Sequence, residues 1–206
     1  TNGALFLKAL YHPGYTSPQQ RKYDFLSGRI NTRSKIEFTY GTASARMKTA
    51  SGAGLWPAFW ALGEGKWPDC GEIDMMETVG DPTWTSNALH GPGYFGNTPL
   101  AKRNFFLPGT DVTQWHVYSV TWTPGELIFK VDDRITYTVT RKMVEHYGRW
   151  AYDNPKFIIL NFALGGGYPH GVNGVDTPYF GLSQASVDQI KAGDAKVFVD
   201  WVLITR

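Results

Sequence analysis

The segment that decides the fold is Trp67-Pro68-Asp69-Cys70-Gly71-Glu72-Ile73-Asp74-Met75-Met76-Glu77, which ends with three acids among large apolar side chains. On a β-strand, Glu72 and Asp74 lie on one face because they are two residues apart. Regular alternation would place Glu77 on the opposite face. A β-bulge at Met75-Met76 adds one residue to the strand and returns Glu77 to the face of the other two acids. The segment therefore predicts a bulged strand with three carboxylates along one side.

Clustered carboxyl groups of this kind can act as a catalytic pair. Retaining glycosidases need two of them about 5 to 5.5 Å apart, one to attack the anomeric carbon and one to protonate the leaving oxygen and then activate water. The charge or hydrogen bond of Asp74 is expected to hold Glu72 ionised, while like-charge repulsion keeps the proton on Glu77. The spacing alone also fits solvated acids on a strand edge or a divalent cation site, since clustered oxygens suit calcium.

The composition favours a flat, uncharged partner. The 206 residues include 12 Phe, 11 Tyr and 8 Trp. A core of this size has little use for so many rings, because a buried Trp or Tyr must also find a partner for its polar atom. The formal net charge of +2 provides no long-range field to gather nucleic acid or an anionic membrane. Exposed rings on a nearly neutral protein suit stacking on sugar rings.

The remaining composition indicates one globular domain over residues 1–206. Hydrophobic residues make up 42%, charged residues 18%, and there are 23 Gly and 12 Pro, which excludes a disordered chain and a coiled coil. No apolar run reaches the roughly 20 residues of a membrane helix. The single Cys70 can form neither an internal disulfide nor a thiolate metal site. We expect a monomer that needs no cofactor for catalysis.

Most segments alternate apolar and polar residues, which is typical of half-buried antiparallel strands. These segments are residues 4–10, 35–40, 43–49, 116–121, 127–131, 135–139 and 197–204. Turn residues separate them. A helical pattern is confined to residues 141–147 and 183–191, the latter with Ser183 as its N-cap. The chain is therefore predicted to be all-β, either a sandwich or a barrel.

Several motifs resemble those of one enzyme family. Residues 71–77, Gly-Glu-Ile-Asp-Met-Met-Glu, resemble the bulged active-site strand of glycoside hydrolase family 16. Residues 54–63, Gly-Leu-Trp-Pro-Ala-Phe-Trp-Ala-Leu-Gly, resemble its laminarinase, or endo-β-1,3-glucanase, branch. Further matches follow in the family's order and span nearly the whole chain: Ser-Gly-Arg-Ile-Asn-Thr-Arg at 27–33, Leu-His-Gly-Pro-Gly-Tyr at 89–94, Ile-Leu-Asn-Phe-Ala-Leu-Gly-Gly at 159–166 and Val-Asp-Trp-Val at 199–202.

The resemblance implies both fold and reaction. The implied fold is a jelly-roll β-sandwich of concanavalin A type, with two curved antiparallel sheets and a substrate cleft on the concave face. The implied roles are nucleophile for Glu72, assistant for Asp74 and acid/base for Glu77. The expected activity is retaining endo-hydrolysis of β-1,3 bonds in laminarin-type glucans, including mixed β-1,3-1,4 glucans, by a secreted enzyme. The alternatives are a non-catalytic β-glucan-binding module and a transglycosylase of the same fold.

Two features depart from the family pattern. The family's domain usually has some tens of residues, including an early strand, before the segment matching residues 4–10. We expect that segment to be absent here, which leaves either a separate chain in its place or a sheet edge that invites association. The helical pattern at residues 183–191 is expected to be an insertion before the last strand, where relatives are shorter.

Aromatic and histidine residues near the acid strand are candidates for substrate binding. Trp56, Trp60 and Trp67 precede the acids closely enough to surround one cleft, and a ring lying flat under a sugar suits a neutral glucan. Core packing is the alternative for Trp56 and Trp60, whereas the resemblance assigns the matching tryptophans to sugar subsites. The resemblance also places His90 in the cleft near Glu77, where it would bind hydroxyls and tune the acid. The alternative for this histidine is a structural donor.

Other candidates lie farther from the acids. Asn31 and Arg46 are candidate donors to sugar hydroxyls, with a turn cap and a surface salt bridge as the respective alternatives. The glycine run at 165–167 is not expected to bind phosphate, because neither Lys-Ser nor Lys-Thr follows and no helix pattern opens there. The resemblance further implies a structural calcium ion on the convex side, held by Asp200 and a backbone carbonyl near Gly41.

Overall fold

The computed structural model describes residues 3–206, which form fifteen strands and three short helices. The strands are β1 Leu5–Lys8, β2 Leu10–Thr16, β3 Lys22–Leu26, β4 Arg29–Asn31, β5 Glu37–Phe38, β6 Gly41–Thr49, β7 Leu55–Gly63, β8 Glu72–Glu77, β9 Trp84–His90, β10 Ala101–Phe105, β11 His116–Trp122, β12 Glu126–Val131, β13 Arg134–Thr140, β14 Lys156–Leu164 and β15 Lys196–Thr205. The helices are α1 Arg141–Glu145, α2 Gly167–Asn173 and α3 Gln184–Ala192. None of the described helices is long and apolar enough to cross a membrane.

The strands form two large antiparallel sheets. One has six strands in the order β1-β15-β6-β11-β12-β13, and the other has β10-β9-β8-β7-β14-β4, with β5 also paired to β14. Within residues 3–206, strands β2 and β3 pair only with each other, as a separate hairpin. The two large sheets pack face to face as an all-β jelly-roll sandwich, which confirms the predicted fold class.

The core lies between the two sheets and follows from alternation along the strands. In β6, Ala43, Ala45 and Met47 are buried, and the residues between them point outward. Phe59 of β7 and Ile73 of β8 are fully buried in the same cluster, on the opposing sheet. Full burial of side chains of this size is worth about 1.5–3 kcal/mol each. Because one face of the acid strand is fixed in this core, its other face must carry the acids.

Most of the strands and helices predicted from the local sequence pattern are present in the structure, with some changes in their bounds. The strand predicted at residues 4–10 is divided in the structure: β1 ends at Lys8, and a new strand, β2, begins at Leu10. The strand predicted at residues 35–40 is only two residues long, as β5. Both predicted helices form, and Ser183 caps α3 by accepting a hydrogen bond from the Ser186 N–H. Helix α3 packs against β2.

The expectation that no helix opens after the glycine run is wrong. Helix α2 begins at Gly167, and Gly166 at φ 96° turns the chain into it. The helix contains two glycines and a proline, residues with poor helix propensity, so the sequence pattern does not reveal it. Tertiary contacts stabilise it instead: Pro169 is buried, and the Asn173 amide donates to the Val79 carbonyl at 2.8 Å.

Candidate active site

Strand β8 contains the predicted bulge. Its pairing with β9 runs regularly from Glu72 opposite His90 to Asp74 opposite Ala88, and then shifts so that Glu77 lies opposite Ser86. The pairing with β7 shifts at the same place. Directly opposed residues on antiparallel strands point to the same side of the sheet. The extra residue therefore returns Glu77 to the face of the other two acids, as predicted from the spacing.

The three acids lie at the centre of a cleft. A cavity of about 440 Å³ extends toward β4 and is lined by all three acids, Trp56 and Trp60. A second cavity of about 970 Å³ extends toward β10 and the start of α2; Glu72, Glu77, Trp56 and His90 line it. Because Glu72 and Glu77 line both cavities, a chain lying in the cleft would pass directly over this pair.

Each glutamate has its own indole donor. Trp56 Nε1 donates to Glu77 Oε1 at 2.9 Å, and Trp67 Nε1 donates to Glu72 Oε2 at 2.9 Å. His90 Nε2 lies 3.3 Å from Asp74 Oδ2 and 3.8 Å from Glu72 Oε1. The imidazole therefore contacts the first two acids of the strand.

Burial raises the pKa of all three carboxyl groups. Burial is the largest cause of a pKa of about 8 for Glu72, and the charge of Asp74 is the next largest. Burial and the charge of Glu77 hold the pKa of Asp74 well above its usual range. Burial likewise raises the pKa of Glu77, although the hydrogen bond from Trp56 opposes it. Three charges in one buried site repel each other, so the site retains protons at neutral pH.

The negative charge of Asp74 was expected to keep Glu72 ionised, but its effect on the pKa of Glu72 is in the other direction. A negative Asp74 raises the pKa of Glu72 and so favours its protonated form, the opposite of the expectation. Asp74 is 3% exposed, and its burial and the charge of Glu77 favour its neutral form. A protonated Asp74 removes this repulsion and can still donate a hydrogen bond. Assistance to Glu72 can therefore come through a proton on Asp74 and not through its charge.

Two of the acids and His90 also lie close enough together to coordinate a cation. Ligand atoms of Glu72, Asp74 and His90 all lie within 4.8 Å of one another, the one such group among residues 3–206. Two carboxylates and an imidazole are a donor set that divalent metals accept. Protons compete with any cation here, since burial raises the pKa of both acids. The cation interpretation of the acid strand therefore stays open.

The three predicted tryptophans lie at the cleft. Trp56 and Trp60 point to the acid face of the sheet, which contradicts core packing, and Trp60 Nε1 donates to Asn161 Oδ1 at 2.6 Å. Trp67 is 42% exposed and packs edge-on against Phe95, with ring centroids 5.5 Å apart. These rings surround the acids, as expected from their short separation from the acids in the sequence.

The other two predicted binding residues lie in different sheets. Asn31 is on β4 opposite Ile159, which in turn lies opposite Trp60, so the strand register places it on the cleft face. Its Oδ1 also accepts a hydrogen bond from the Arg33 N–H at 3.0 Å, so both the sugar donor and the turn cap stay predictions for this residue. Arg46 is on β6 of the six-stranded sheet, and its Nη1 lies 2.6 Å from Asp200 Oδ2. The prediction that Arg46 binds sugar in the cleft is wrong. Alternation places its neighbours in the core and Arg46 itself on the outer face, away from the acids.

The two predicted calcium ligands do not share a site. On β15, Asp200 lies at a register shift beside Arg46, whereas Gly41 lies five residues farther along β6. At about 3.4 Å per residue, about 17 Å of strand separates the two positions. The Asp200 carboxylate is also already paired with a guanidinium. These residues do not fit one ion. A structural calcium stays a prediction of the resemblance, to be tested by melting with and without a chelator.

Several cleft residues come from strands that are distant in the sequence. Asn161 faces the cleft from β14, and Arg29 of β4 lies opposite it, with its guanidinium 4.8 Å from the Trp60 ring centre. On the other side, Ser86 of β9 and Tyr168 of α2 have hydroxyls 3.4 Å apart. Only the pairing of strands far apart in sequence brings these side chains together, and no local pattern reports that pairing.

Comparison with known proteins agrees with this geometry. A curated β-glucanase of Rhodothermus marinus is 32% identical over 92% of this chain and 67% of its own length. Among solved structures, an endo-β-1,3-glucanase of Pyrococcus furiosus matches with 34% identity and a TM-score of 0.86, covering 98% of this chain and 74% of that one. The laminarinase catalytic domain of Thermotoga maritima matches with 29% identity and a TM-score of 0.84, covering 99% and 78%.

The family model for glycosyl hydrolases family 16 matches residues 15–179, more than half of the chain. The matched region includes the bulged acid strand and the tryptophans that surround it. Fold, acid strand and sequence agree over most of the chain. The chain therefore belongs to glycosyl hydrolases family 16.

Proposed function

We propose that this protein is a retaining endo-hydrolase of β-1,3-glucosidic bonds in laminarin-type glucans. The observation that carries the proposal is the bulge after Asp74, which places Glu77 on the face of Glu72 at the centre of an open cleft. The names of the Pyrococcus and Thermotoga structures support β-1,3-glucan as the substrate. The name of the Rhodothermus relative, a β-glucanase, leaves room for mixed linkages.

The reaction proceeds by double displacement. A Glu72 carboxylate oxygen attacks the anomeric carbon as the bond to the leaving oxygen breaks, and Glu77 gives its proton to that oxygen. The product is a glycosyl ester on Glu72. Glu77, now ionised, takes a proton from water, whose oxygen attacks the same carbon and releases Glu72. The second step restores both groups to their starting protonation states.

Neighbouring groups in the site favour each of the two protonation states that this reaction requires. Glu77 is buried, and burial raises its pKa, which favours the protonated form that a general acid needs. Glu72 must be ionised to attack, and the Trp67 indole favours that form by donating to it. A proton on Asp74 removes the second largest cause of the raised pKa of Glu72, the charge of Asp74, whereas burial, the largest cause, remains. His90 lies close enough to Asp74 and Glu72 to orient both.

A neutral polysaccharide fits the lining of the cleft. Trp56 and Trp60 offer ring faces, and Asn161 offers an amide to hydroxyl groups. The cleft crosses six strands, from β10 to β4, which at about 4.8 Å between strands spans about 24 Å and holds several sugar rings. Cavities on both sides of the acid pair let a chain extend in both directions, which supports cleavage within the chain. Because a polysaccharide of this size cannot enter a cell, this substrate supports an enzyme that is secreted.

Release of reducing ends from laminarin tests the proposal. We expect the wild type to release them, and Glu72→Gln and Glu77→Gln to lose at least about 10³-fold in kcat, since each removes a group from the displacement. Trp115→Ala is the matched control and should retain activity, because the Trp115 ring lies against Arg46 on the outer face of the six-stranded sheet, with 4.7 Å between the guanidinium and the ring centre. Binding of laminarin without release by the wild type would favour a non-catalytic binding module. Longer products at high oligosaccharide concentration would favour a transglycosylase, in which a sugar replaces water.

A further inference from the structure

The bulge in β8 takes one buried residue out of the regular strand pairing. On the β7 side the pairing passes from Asp74 directly to Met76, and on the β9 side it passes from Asp74 directly to Glu77. Met75 is therefore the extra residue in both pairings, and a bulge disrupts the backbone hydrogen bonds at such a residue. Because Met75 is fully buried, its carbonyl oxygen needs a donor from elsewhere in the protein.

Asn87 of β9 provides that donor. Its Nδ2 donates to the Met75 carbonyl oxygen at 2.7 Å, and Asn87 is 2% exposed. Asn87 lies between two residues of β9 that are paired with the acids and face the cleft, so alternation turns its own side chain to the core side of the sheet. The bulge is therefore held by an amide that lies behind the acids and not in the cleft.

Two further side chains fix the orientation of this amide. Asn104 Nδ2 of β10 donates to Asn87 Oδ1 at 2.8 Å, and Thr136 Oγ1 of β13 donates to the same oxygen at 3.1 Å. Both of these residues are buried. If the amide turned over, its nitrogen would lie against the Asn104 nitrogen and its oxygen against the Met75 carbonyl oxygen. The two donors therefore direct the amide nitrogen of Asn87 to the bulge.

Thr136 connects this network to the other sheet. It lies on β13, the edge strand of the six-stranded sheet, whereas β8, β9 and β10 belong to the opposing sheet. The pairing of β13 with β12 passes from Ile135 directly to Tyr137, so Thr136 is also the extra residue of a bulge. Two bulges, one in each sheet, are thus joined through the side chain of Asn87.

We propose that Asn87 is a positioning residue that fixes the bulge of β8 and, through it, the place of Glu77 beside Glu72. A regular strand would turn Glu77 to the core side of the sheet, so the pair of glutamates on one face depends on the bulge. The effect on reaction rate rests on the proposed function, whereas the effect on the bulge does not. Asn87 acts through the Met75 carbonyl and does not touch the substrate.

The test compares kcat and KM for laminarin, together with the melting temperature, in the wild type and three variants. Asn87→Leu keeps the size of the side chain and removes its hydrogen bonds to Met75, Asn104 and Thr136. It should lower kcat by about 10²-fold and change KM by less than about twofold, since a misplacement of about 1 Å has an effect of that size on rate. Thr136→Val removes a single bond to Asn87 and should give a smaller loss, again in kcat.

Ser186→Ala is the matched control. Ser186 is 1% exposed, and its hydroxyl donates to the Ala53 carbonyl at 2.9 Å, outside the acid strand. The variant should therefore have a lower melting temperature and wild-type kcat. If Asn87→Leu and Thr136→Val likewise lose melting temperature and keep kcat, Asn87 has only a structural role and the proposal is wrong. If Asn87→Leu does not fold, kcat of Thr136→Val decides in the same way.

A crystal structure of Asn87→Leu, or of Thr136→Val if the first does not fold, gives a readout that does not depend on activity. It should show Glu77 displaced from its place beside Glu72, or the register shift after Asp74 lost. An unchanged bulge with Glu77 in place would overturn the positioning role. If the bulge changes but the wild type releases no reducing ends from laminarin, the proposed function is wrong and the positioning of Glu77 by Asn87 stands.

Discussion

The indole N–H of Trp56 donates a hydrogen bond of 2.9 Å to the Glu77 carboxylate, and both residues line the substrate cleft. Trp67 makes the equivalent bond to Glu72. Both bonds favour the ionised form of their glutamate, but the reaction needs Glu77 protonated and Glu72 ionised. Removal of each donor should therefore affect opposite limbs of the pH profile of kcat/KM, which reports the free enzyme.

Trp56→Phe should move the alkaline limb of kcat/KM to higher pH. Loss of the indole donor raises the pKa of Glu77, so the acid keeps its proton further into alkaline solution. The expected shift is up to about one pH unit, since one unit corresponds to about 1.4 kcal/mol, the size of one hydrogen bond to a charged group. A pH series with laminarin measures it. An unmoved alkaline limb would mean that Glu77 is not the acid.

Trp67→Phe should move the acidic limb to higher pH. The donor to Glu72 is lost, the pKa of Glu72 rises, and more alkali is needed to ionise it. The shift should be smaller than that in Trp56→Phe, because Trp67 is 42% exposed and water partly replaces the bond. Each variant is the control for the other. A shift of the alkaline limb by Trp67→Phe would contradict the assigned roles.

Trp60→Ala should raise KM for laminarin several-fold to about tenfold with a smaller effect on kcat. The ring lines the cavity beside the acids but makes no hydrogen bond to the two glutamates among the described residues, so its loss weakens binding more than chemistry. Steady-state kinetics on laminarin provides the measurement, with Trp115→Ala as the control. An unaltered KM would remove Trp60 from the binding surface.

Lys156 gives a prediction about stability. This fully buried lysine donates to the Cys70 and Ala151 carbonyls and to Asn154 Oδ1 at 2.8–3.0 Å, and burial lowers its pKa from 10.5 to about 7. Between about pH 7 and 10.5 the unfolded chain holds a proton that the folded chain has lost. Stability due to this group therefore rises with pH through that window.

The measurement is the melting temperature of the wild type and of Lys156→Met across that pH window. The variant should be less stable overall, since the Ala151 carbonyl loses its lysine donor. The difference in melting temperature between the wild type and the variant should grow as the pH rises from about 7. Other titrating groups are common to both proteins and cancel in the difference. Parallel curves would show that Lys156 does not titrate in this range.

The acid strand could be predicted because its signal is local. The spacing of Glu72, Asp74 and Glu77 requires one extra residue if all three are to share a face, and the paired methionines supply it. The period-two pattern likewise predicts which residues of β6 are buried. Both inferences need only neighbouring residues and the geometry of a strand.

Arg46 shows where that reasoning ends. Alternation predicts correctly that it points away from the core, but each sheet of a sandwich has its own outward face. Only one of those two faces is the cleft, and β6 lies in the other sheet. The sheet to which a strand belongs is decided by pairing between residues that are far apart in the chain, such as the pairing of Trp201 with Arg46. The same limit hid Asn161, which reaches the cleft from β14.

The anomeric configuration of the first product tests the central claim most directly. If Glu77 shares a face with Glu72 and both act on one bond, hydrolysis proceeds through a glycosyl ester and the new reducing end forms as the β-anomer. Proton NMR during the first turnovers, before mutarotation, should show the β-anomer ahead of the α-anomer. Initial formation of the α-anomer would mean direct attack by water, and would contradict Glu72 as the nucleophile.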